Sequence, residues 1–578
     1  MSFFVLYNKD KFQNTVNRHI KTMDKNGFSK CISINLGSRD LILFNDLSGN
    51  APAFQQTENG DFIASLGTFS YQGNASLLGL RNFLNDFNTE AFTWQEMTGT
   101  HIVILRKAGF TYFISDGLGC SQIYVDAQCS VYSNSFVSMC DITEPKFFNT
   151  QACYEYVING AVFGNKSLLK GITTLPANSI LEVTSQKTQT IQLESPVLDK
   201  DDCASHMTLD QVASYHCEQL DSVFEPTAKA YGDNIKLSFS GGFDSRLSLA
   251  MLMRHGVKPK LFVYGNDTDE DVVIAQTVAK AENLELECIN KSTAPIVEPD
   301  SYKEITQANF YAFDGWKVEY GIFDFGTDRT DRLKRHVNEQ IPLNGSLGEI
   351  YRNFFYIPDK KMRAQDVVST FYSQYNQNAF SSKFKEPEYR LEMAECMRNA
   401  IRSSNEQLER YQIEQLYPHF RGRFWTGRDA QLNQRFGKML FPFLESAAIS
   451  NTSKIPLNYK DLGYLQGRMI SQVNSRLANH PSDYGFSLNG VRPLKYRLKT
   501  FLSTQRPPFT RKLSFRFKNR HKETFDTPLS QPYLSRVIDG DFPIMRNLFN
   551  IGLINSAKQY GLIATLEYLG ERYNLEVE

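Results

Sequence analysis

The feature that most constrains the fold is a glycine-rich turn that joins a short apolar strand to a helix. The strand is predicted over Ile235–Ser240 and the helix over Arg246–His255, and the residues from 240 to 245 read Ser-Gly-Gly-Phe-Asp-Ser. Two glycines let the backbone come close to an anion, and the positive end of the following helix points at the same place. The pattern predicts a parallel α/β sheet with a phosphate-binding turn at its edge.

The side chains of this turn suit a nucleotide phosphate. The hydroxyls of Ser240 and Ser245 are donors, and Asp244 can hold Mg²⁺ that bridges phosphate oxygens. The chain has no G-x-x-x-x-G-K-[ST] string, so the turn is not a Walker loop. The alternative is a plain Gly-Gly turn in which Asp244 and Ser245 cap the helix. The residues predicted to hold phosphate are Ser240, Gly241, Gly242, Asp244 and Ser245.

The chain has 578 residues, and two parts of it differ in pattern. Residues 1–195 contain short apolar runs between Gly, Asn and Asp turn signals, which predict strands at Cys31–Leu36, Leu41–Phe44, Phe62–Leu66, His101–Leu105 and Phe110–Ile114, and a helix at Asn74–Phe87. In residues 206–578 strands alternate with helices, and from about residue 360 the pattern is mainly helical. We therefore expect an α+β domain with a β-sandwich, a linker over 185–205, and an α/β domain with a helical C-terminal part.

Composition excludes several classes of protein. The 63 Lys and Arg residues equal the 63 Asp and Glu residues, which argues against a globally basic nucleic-acid binder. Hydrophobic residues make up 41% and charged residues 22%, as in globular proteins. Nine cysteines without a C-x-x-C pair disfavour a disulfide framework or a zinc site and favour a reducing compartment. The sequence predicts a cytoplasmic protein.

The string Ser-Gly-Gly-x-Asp-Ser resembles the pyrophosphate loop of the N-type ATP pyrophosphatases. These enzymes cleave ATP between its α and β phosphates and activate a substrate as an adenylate. Further blocks extend the resemblance to the asparagine synthetase family, which includes β-lactam synthetases and lasso-peptide cyclases. The blocks are Gly99–Ile104, Asp116–Tyr124, Lys170–Ala177, Asn344–Tyr351 and Phe441–Glu445.

This resemblance implies two domains and a set of site residues. Residues 1–195 would form an Ntn-type domain like the class II glutamine amidotransferases, and 206–578 an adenine nucleotide alpha hydrolase-like ATP-pyrophosphatase domain. ATP and Mg²⁺ are the implied cofactors, with Asp244 and Glu349 as metal ligands and Glu349 also as an acid or base. Asp314 resembles an Asp near the family's substrate, although a solvated loop Asp is the alternative. The residues expected near adenine are Val263, Tyr264 and Gly265.

The chain departs from the family at four places. Ser2 stands where the family has its nucleophilic Cys, and the Asn of the glutamine site is missing from Gly67–Gln72, so we expect the glutaminase to be inactive. Gly348 stands where the second Mg-binding Asp is expected, and Asp483 stands where the family has a catalytic Lys. A carboxylate cannot perform that cationic role. Another base could replace the Lys, the chemistry could differ, or activity could be lost; the candidate bases are Arg476, Lys495 and Lys499.

A basic segment lies near the C-terminus. Residues 484–522 contain no Asp or Glu, and residues 492–522 contain eleven cations among aliphatic and Phe residues: Arg492, Lys495, Arg497, Lys499, Arg506, Arg511, Lys512, Arg516, Lys518, Arg520 and Lys522. Three interpretations compete: a solvated face neutralised by acids elsewhere in the fold, a site for anionic lipid, and a site for a polyanionic substrate. We prefer lipid or a lipid-linked substrate over nucleic acid, since no RNA-binding motif is present.

The sequence as a whole predicts an ATP-dependent amide-forming ligase. It would adenylate a carboxylate, release pyrophosphate, and let an amine or ammonia attack. The substrate class stays open among small-molecule, glycan and peptide carboxylates. The alternatives are a glutamine-hydrolysing asparagine synthetase and a non-catalytic member that binds nucleotide or acts as a scaffold. A homodimer and a peripheral position at the inner membrane surface are further expectations.

Overall fold

The computed structural model describes residues 2–198, 206–291, 297–518, 523–525 and 527–578, with 516–518 described as backbone. Twenty strands are present in these ranges: β1 Phe3–Asn8, β2 Lys30–Asn35, β3 Arg39–Phe44, β4 Ala53–Gln56, β5 Phe62–Gly67, β6 Ser70–Tyr71, β7 Met97–Thr98, β8 His101–Lys107, β9 Phe110–Ser115, β10 Tyr124–Asp126, β11 Val131–Ser133, β12 Ile172–Thr174, β13 Ser179–Val183, β14 Thr188–Gln192, β15 Ile235–Ser238, β16 Lys260–Tyr264, β17 Leu286–Ile289, β18 Ile341–Leu343, β19 Met362–Arg363 and β20 Gln407–Leu408.

The same ranges contain 21 α-helices: α1 Lys9–Lys25, α2 Leu77–Asp86, α3 Phe136–Thr143, α4 Thr150–Asn159, α5 Leu209–Tyr231, α6 Phe243–Arg254, α7 Glu270–Glu282, α8 Tyr302–Ala312, α9 Thr327–Lys334, α10 Ala364–Phe371, α11 Glu386–Ala400, α12 Arg410–Leu416, α13 Gly427–Gln434, α14 Ser446–Ile449, α15 Leu457–Lys460, α16 Tyr464–Val473, α17 Ser475–Asn479, α18 Leu494–Gln505, α19 Pro508–Lys518, α20 Gln531–Leu534 and α21 Ala557–Tyr573. A π-helix, Tyr417–Thr426, joins α12 to α13. No described helix is long and apolar enough to cross a membrane.

The first part of the chain contains two stacked antiparallel sheets. Their strand orders are β12-β10-β11-β1-β3-β2 and β14-β13-β9-β8-β5-β4. Alternate residues of both sheets meet in one buried cluster, where Phe4 and Leu43 of one sheet pack with Ile104 and Leu181 of the other. The outer face of the second sheet is covered by α2, through Leu80 and other side chains. The expected β-sandwich is present.

The strand predictions in this part agree with the structure to within one or two residues, but the helices were underpredicted. The sequence analysis assigned no helix at α1, α3 or α4, although α1 buries Val16, His19 and Met23 at helix-face spacing. The predicted linker over 185–205 is wrong in part, since β14 lies within it and pairs with β13. Its residues 199–205 lie outside the described ranges.

The second part is built on a four-stranded parallel sheet of order β17-β16-β15-β18. All three pairings are parallel, and β15 lies between β16 and β18. The carboxyl ends of the strands therefore meet at one edge of the sheet, where ligands bind in open α/β sheets. Helices α10–α21 and short connecting segments follow β18, as the mainly helical pattern predicted.

The two parts share one buried core. A single cluster of buried apolar residues extends from Phe3 and Val5 on the outer face of the first sheet to Leu566 and Leu575 near the C-terminus. A backbone bridge joins them as well, because the N–H of Phe148 donates to the carbonyl of Glu576 at 2.9 Å.

Candidate phosphate site

The glycine-rich turn lies at the carboxyl edge of the parallel sheet. Strand β15 ends at Ser238, two residues earlier than predicted, and α6 begins at Phe243, three residues earlier. Asp244 therefore lies in the first turn of α6. Gly241 has φ of +80°, and a Cβ atom there would lie 2.4 Å from Cγ2 of Ile274, so this position needs glycine for both conformation and space.

The turn presents backbone donors. Within the described residues, no hydrogen bond is donated by the backbone N–H groups of Ser240, Gly241 or Gly242. Arg246 fixes the turn from behind, because its guanidinium donates to the carbonyls of Gly241 and Pro481, each at 2.7 Å. This arrangement leaves three N–H groups at the positive end of a 12-residue helix.

The block Asn344–Tyr351, which follows β18, packs directly against Asp244. A Cβ atom at Gly345 would lie 3.2 Å from the carbonyl carbon of Asp244, and one at Gly348 would lie 2.5 Å from its Oδ1. The family resemblance expects a second metal-binding Asp at Gly348. With Asp244 in its present position, there is no space for a side chain there.

Arg352 provides the positive charge at this edge. Its Nη2 donates to Oδ2 of Asp244 at 2.6 Å, and its Nη1 donates to the hydroxyl of Tyr484 at 3.0 Å. Oε1 of Glu349 lies 3.7 Å from Nη2, and the guanidinium stands 5.5 Å from the ring centroid of Phe243. On the other side, Nε2 of Gln466 donates to Oδ1 of Asp244 at 2.7 Å.

The acidic groups around the turn have raised pKa values. Burial, with contributions from Glu349 and Asp483, raises the pKa of Asp244 to about 7 in spite of Arg352. Burial and the nearby Asp271 raise the pKa of Asp483 to about 6. Perturbed carboxylates of this kind, grouped beside a sheet edge, are typical of functional sites.

The carboxylates predicted to hold Mg²⁺ are already engaged. Both oxygens of Asp244 accept hydrogen bonds, and Oε2 of Glu349 accepts one from the Tyr417 hydroxyl at 2.7 Å. The guanidinium of Arg352 contacts both acids. No group of three or more His, Cys, Asp or Glu side chains in the described ranges could hold a metal ion. These residues do not fit a resident Mg²⁺, and the geometry favours Arg352 as the cation beside the turn.

Asp483 stands at the position where the family resemblance expects a Lys. A Cβ atom on Gly242 would lie 3.6 Å from both carboxylate oxygens of Asp483, so this acid faces the turn. Of the candidate replacements, Arg476 pairs with Glu282 at 2.9 Å, and Lys495 and Lys499 are exposed on α18. The sequence analysis did not identify Arg352, which is the cation that contacts Asp244. The signal was an arginine immediately after the 344–351 block.

The residues expected near adenine lie at the same edge, because β16 pairs with β15. Gly265 has φ of +145° and follows Tyr264, whose hydroxyl accepts from Nε of Arg335 at 3.1 Å. The ammonium of Lys291 stands 4.4 Å from the Tyr264 ring centroid. Val263 is buried in the sheet, so Tyr264 and Gly265 are the residues available to a ligand.

Asp314 lies in a different setting. It is 1% exposed, which excludes the solvated-loop alternative. It accepts from the Ser135 hydroxyl at 2.6 Å and from the N–H of Phe136 at 2.8 Å, and it pairs with Arg428 at 3.2 Å. Burial raises its pKa, but Arg435 and Arg428 outweigh burial and hold it below the usual range. Asp314 caps α3 and joins the two parts of the chain; its catalytic role stays a prediction, and this setting favours a structural one.

Ser2 lines a cavity of about 210 Å³ between the two parts of the chain. Asp46, Thr68 and Gln434 line the same cavity, and Ser2 is buried. Close by, Glu445 accepts from the N–H of Gly99 at 2.9 Å, and burial raises its pKa to about 8. The Gly99–Ile104 block thus lies against the Phe441–Glu445 block.

A cavity of about 530 Å³ opens beside Arg352. Glu349, Arg352, Phe354 and Phe371 line it together with residues of α18 and α19. Further cations line it: Arg421, Lys460, Arg506 and Arg511. Its lining is thus mainly cationic and aromatic.

Comparisons with known proteins give little further help. No protein-family model matches the chain, and no curated protein sequence matches it. Similar solved structures include an allosteric regulatory enzyme of purine biosynthesis, 8% identical over 52% of this chain and 82% of that chain, with a TM-score of 0.23. Another is glutamine phosphoribosylpyrophosphate amidotransferase from B. subtilis, complexed with ADP and GMP, 9% identical over 50% of this chain and 65% of that chain, with a TM-score of 0.20. These identities and TM-scores do not assign the chain to a family.

Proposed function

We propose that the chain is an ATP-dependent amide-forming ligase that binds ATP at the 240–245 turn. It would cleave ATP between the α and β phosphates, join the AMP portion to a carboxylate, and release pyrophosphate. An amine or ammonia would then displace AMP. The observation that carries this proposal is the combination of three N–H groups and the cation of Arg352 at the carboxyl edge of a parallel sheet.

The protein groups have distinct parts in this reaction. The N–H groups of 240–242 and the start of α6 bind the β and γ phosphates. Arg352 stabilises the negative charge that grows on the leaving pyrophosphate, and its contacts to Asp244 and Tyr484 hold it in place before the nucleotide arrives. Gln466 fixes the other oxygen of Asp244, so the carboxylate cannot rotate into the phosphate site.

Protonation reduces the cost of bringing phosphate close to acids. The pKa values of Asp244 and Asp483 are about 7 and about 6, so both groups take up protons readily when a polyanion approaches. Arg352 supplies the cation that the family's Lys would have supplied. We therefore expect nucleotide binding to strengthen as pH falls from 8 to 6.

The cationic cavity beside Arg352 is where we place the carboxylate substrate. Arg352 lines this cavity and also contacts Asp244 of the turn, so a bound carboxylate would lie near the α phosphate. Arg421 and Arg506 attract acids, and aromatic side chains pack against the rest of the substrate. Glu349, held by the Tyr417 hydroxyl, would take a proton from the attacking amine. Small-molecule, glycan and peptide acids all suit this lining.

We propose that the amine or ammonia is used directly. Ser2 lies in a cavity large enough for a small ligand, but a hydroxyl is a weaker nucleophile than the thiol of related glutaminases. Glutamine incubated with the pure protein should yield no glutamate. Glutamate release that Ser2→Ala abolishes would instead favour a glutamine-hydrolysing synthetase.

The test of the main proposal is pyrophosphate release from ATP in the presence of a panel of carboxylic acids, together with exchange of labelled pyrophosphate into ATP. Asp244→Asn should reduce both signals, because it alters the group that positions Arg352. The matched control is Asp366→Asn, which changes a surface acid paired with Arg363. Absence of ATP binding by the wild-type protein would contradict the proposal.

One observation favours a second candidate, a non-catalytic protein that binds nucleotide. Asp483 faces the turn with a carboxylate where related enzymes have a cation. ATP binding by calorimetry without pyrophosphate release or exchange, for every acid and amine tried, would support this candidate and exclude the ligase.

A further inference from the structure

Helix α18 and the start of α19 present apolar side chains to solvent. Of the 17 exposed large apolar side chains among the described residues, six lie within residues 491–509. The exposed fractions reach 90% for Val491 and 77% for Leu494. The six are Val491, Leu494, Leu498, Phe501, Leu502 and Phe509. A contiguous apolar group of this kind marks an interaction site.

These side chains lie on the side of α18 that faces away from the protein. At the helical repeat, residues 494, 498, 501 and 502 form a stripe about 100° wide. The opposite side carries Tyr496, Thr500, Ser503 and Thr504, which are buried or half-buried. Tyr496 packs on Phe486 with ring centroids 5.0 Å apart, which fixes the rotation of the helix. The apolar stripe is thus held outward.

Cations border the stripe on both sides. At the same repeat Arg497 lies along one edge, and Lys495 and Lys499 lie along the other. All three are exposed, and none forms an ion pair with a described residue. Helix α18 contains no acid, so these three cations give it a net positive charge that no described ion pair neutralises.

Other cations of the basic segment have structural partners. Arg492 donates to the carbonyl of Leu462 at 3.0 Å, Arg511 donates to the carbonyl of Phe355 at 2.9 Å, and Lys512 pairs with Glu386. The Arg520 and Lys522 positions and the side chains of Arg516 and Lys518 lie outside the described residues. The cations available to a partner are therefore Lys495, Arg497 and Lys499 on α18.

We propose that α18 docks this protein on a bilayer surface with anionic headgroups. An apolar stripe between rows of Lys and Arg is the pattern of helices that lie in the membrane interface, with the stripe among the acyl chains and the cations at the headgroups. A second copy of the chain is a poor occupant, because symmetric pairing of the stripe would place Lys495 and Lys499 against like charges in an acid-free segment. A soluble polyanion would leave the stripe exposed.

Docking in this way places the 530 Å³ cavity beside the membrane. Tyr496, Thr500 and Ser503, on the inner side of α18, line that cavity while the outer side meets lipid. The docking itself does not depend on the nucleotide chemistry proposed above.

The test uses the full chain and sedimentation with two kinds of vesicle, phosphatidylcholine alone and phosphatidylcholine with phosphatidylglycerol. We expect binding to the anionic vesicles only. The triple variant Lys495→Gln, Arg497→Gln, Lys499→Gln should bind roughly 100-fold more weakly, at about fivefold for each cation. The double variant Leu498→Ser, Phe501→Ser should lose most binding while keeping the wild-type circular dichroism spectrum.

The matched control is Leu77→Ser, Leu78→Ser, a pair on α2 that is 54% and 53% exposed and has one cation, Arg81, a helical turn away in place of cations on both sides. This variant should bind as wild type does. Equal binding to both kinds of vesicle, or binding that the α18 variants leave unchanged, would overturn the proposal. Binding to a single-stranded oligonucleotide that survives Leu498→Ser, Phe501→Ser, without vesicle binding, would reassign the cations to nucleic acid. A dimer that this double variant dissociates, again without vesicle binding, would reassign the stripe to a second copy.

Discussion

Asp314 and Asp244 both contact arginine side chains, and they differ in almost every other respect. Asp314 accepts hydrogen bonds from a hydroxyl and two backbone N–H groups and lies between two arginines, which hold its pKa below the usual range against the effect of burial. Asp244 meets Arg352 and Gln466 but has carboxylates nearby, and burial raises its pKa to about 7.

The difference shows that the surroundings of an aspartate determine whether it stays charged or can change its protonation state. Asp314 is held in its charged form by complementary donors, so it stabilises the contact between the two parts of the chain. Asp244, with a pKa of about 7, can change its protonation near neutral pH when a ligand binds at the edge of the sheet. Four predictions would sharpen this comparison or break it.

The largest expected effect is on stability. Asp314→Ala leaves Arg428 and Arg435 buried without their counter-charge, and we expect the free energy of unfolding to fall by about 3–5 kcal/mol. Urea denaturation measures this loss. Asp366→Ala, on the surface of α10, is the control and should change it by less than about 0.5 kcal/mol. An equally small loss for Asp314→Ala would mean that this acid is not structural.

The second effect is on activity. Arg352→Ala should lower pyrophosphate release by about 10²–10³-fold, since it removes a preorganised cation from the reacting phosphates. Arg254→Ala, which breaks a surface pair with Asp221, is the control and should leave the rate unchanged. Arg352→Lys should restore part of the rate, because a point charge replaces the planar guanidinium. A normal rate for Arg352→Ala would show that another group supplies the cation.

The third effect is on nucleotide affinity. Asp483→Lys restores a cation at the turn, and we expect the dissociation constant for ATP to fall about tenfold, or about 1.4 kcal/mol. Asp483→Asn should give a smaller decrease, because it removes repulsion without adding attraction. Calorimetry measures both. Weaker binding by the Lys variant would mean that phosphate does not approach this side of the turn.

The smallest effect is a pH dependence of opposite sign at the two aspartates. The folded-state pKa of Asp244 is raised from 3.8 to about 7, so its contribution to stability is present below pH 3.8 and is lost as pH rises through 7. Asp314 has a lowered pKa, so its contribution is present above pH 3.8 and is lost as pH falls below that value.

Thermal unfolding across pH measures these signs. Relative to wild type, Asp244→Asn should be more favourable at pH 8 than at pH 5, and Asp314→Asn should be less costly at pH 3 than at pH 7. The change with pH is the readout, since loss of the arginine contact itself adds a nearly constant amount. The same slope for both variants would break the comparison.

Local chemistry made the turn at 240–245 predictable from the sequence, and long-range contacts made its surroundings much harder to predict. A Gly-Gly turn between a strand and a helix is visible in consecutive residues, and so is the alternation of strands and helices. The pairing of Asp244 with Arg352 joins positions 108 residues apart and could not be seen. Asp314 was placed near a substrate because its neighbours resemble a motif, whereas its partners Ser135 and Arg428 come from distant segments.

The shared core makes the first part of the chain necessary for the second, independently of any chemistry at Ser2. The outer face of the first sheet, with Phe3 and Val5, is covered by apolar residues of the second part, and the last residues of the chain bond to segment 146–148. Cutting the chain near residue 200 would therefore produce two fragments that each expose a large apolar surface, and not two stable domains. For the second part, the first part therefore supplies a permanent portion of the hydrophobic core.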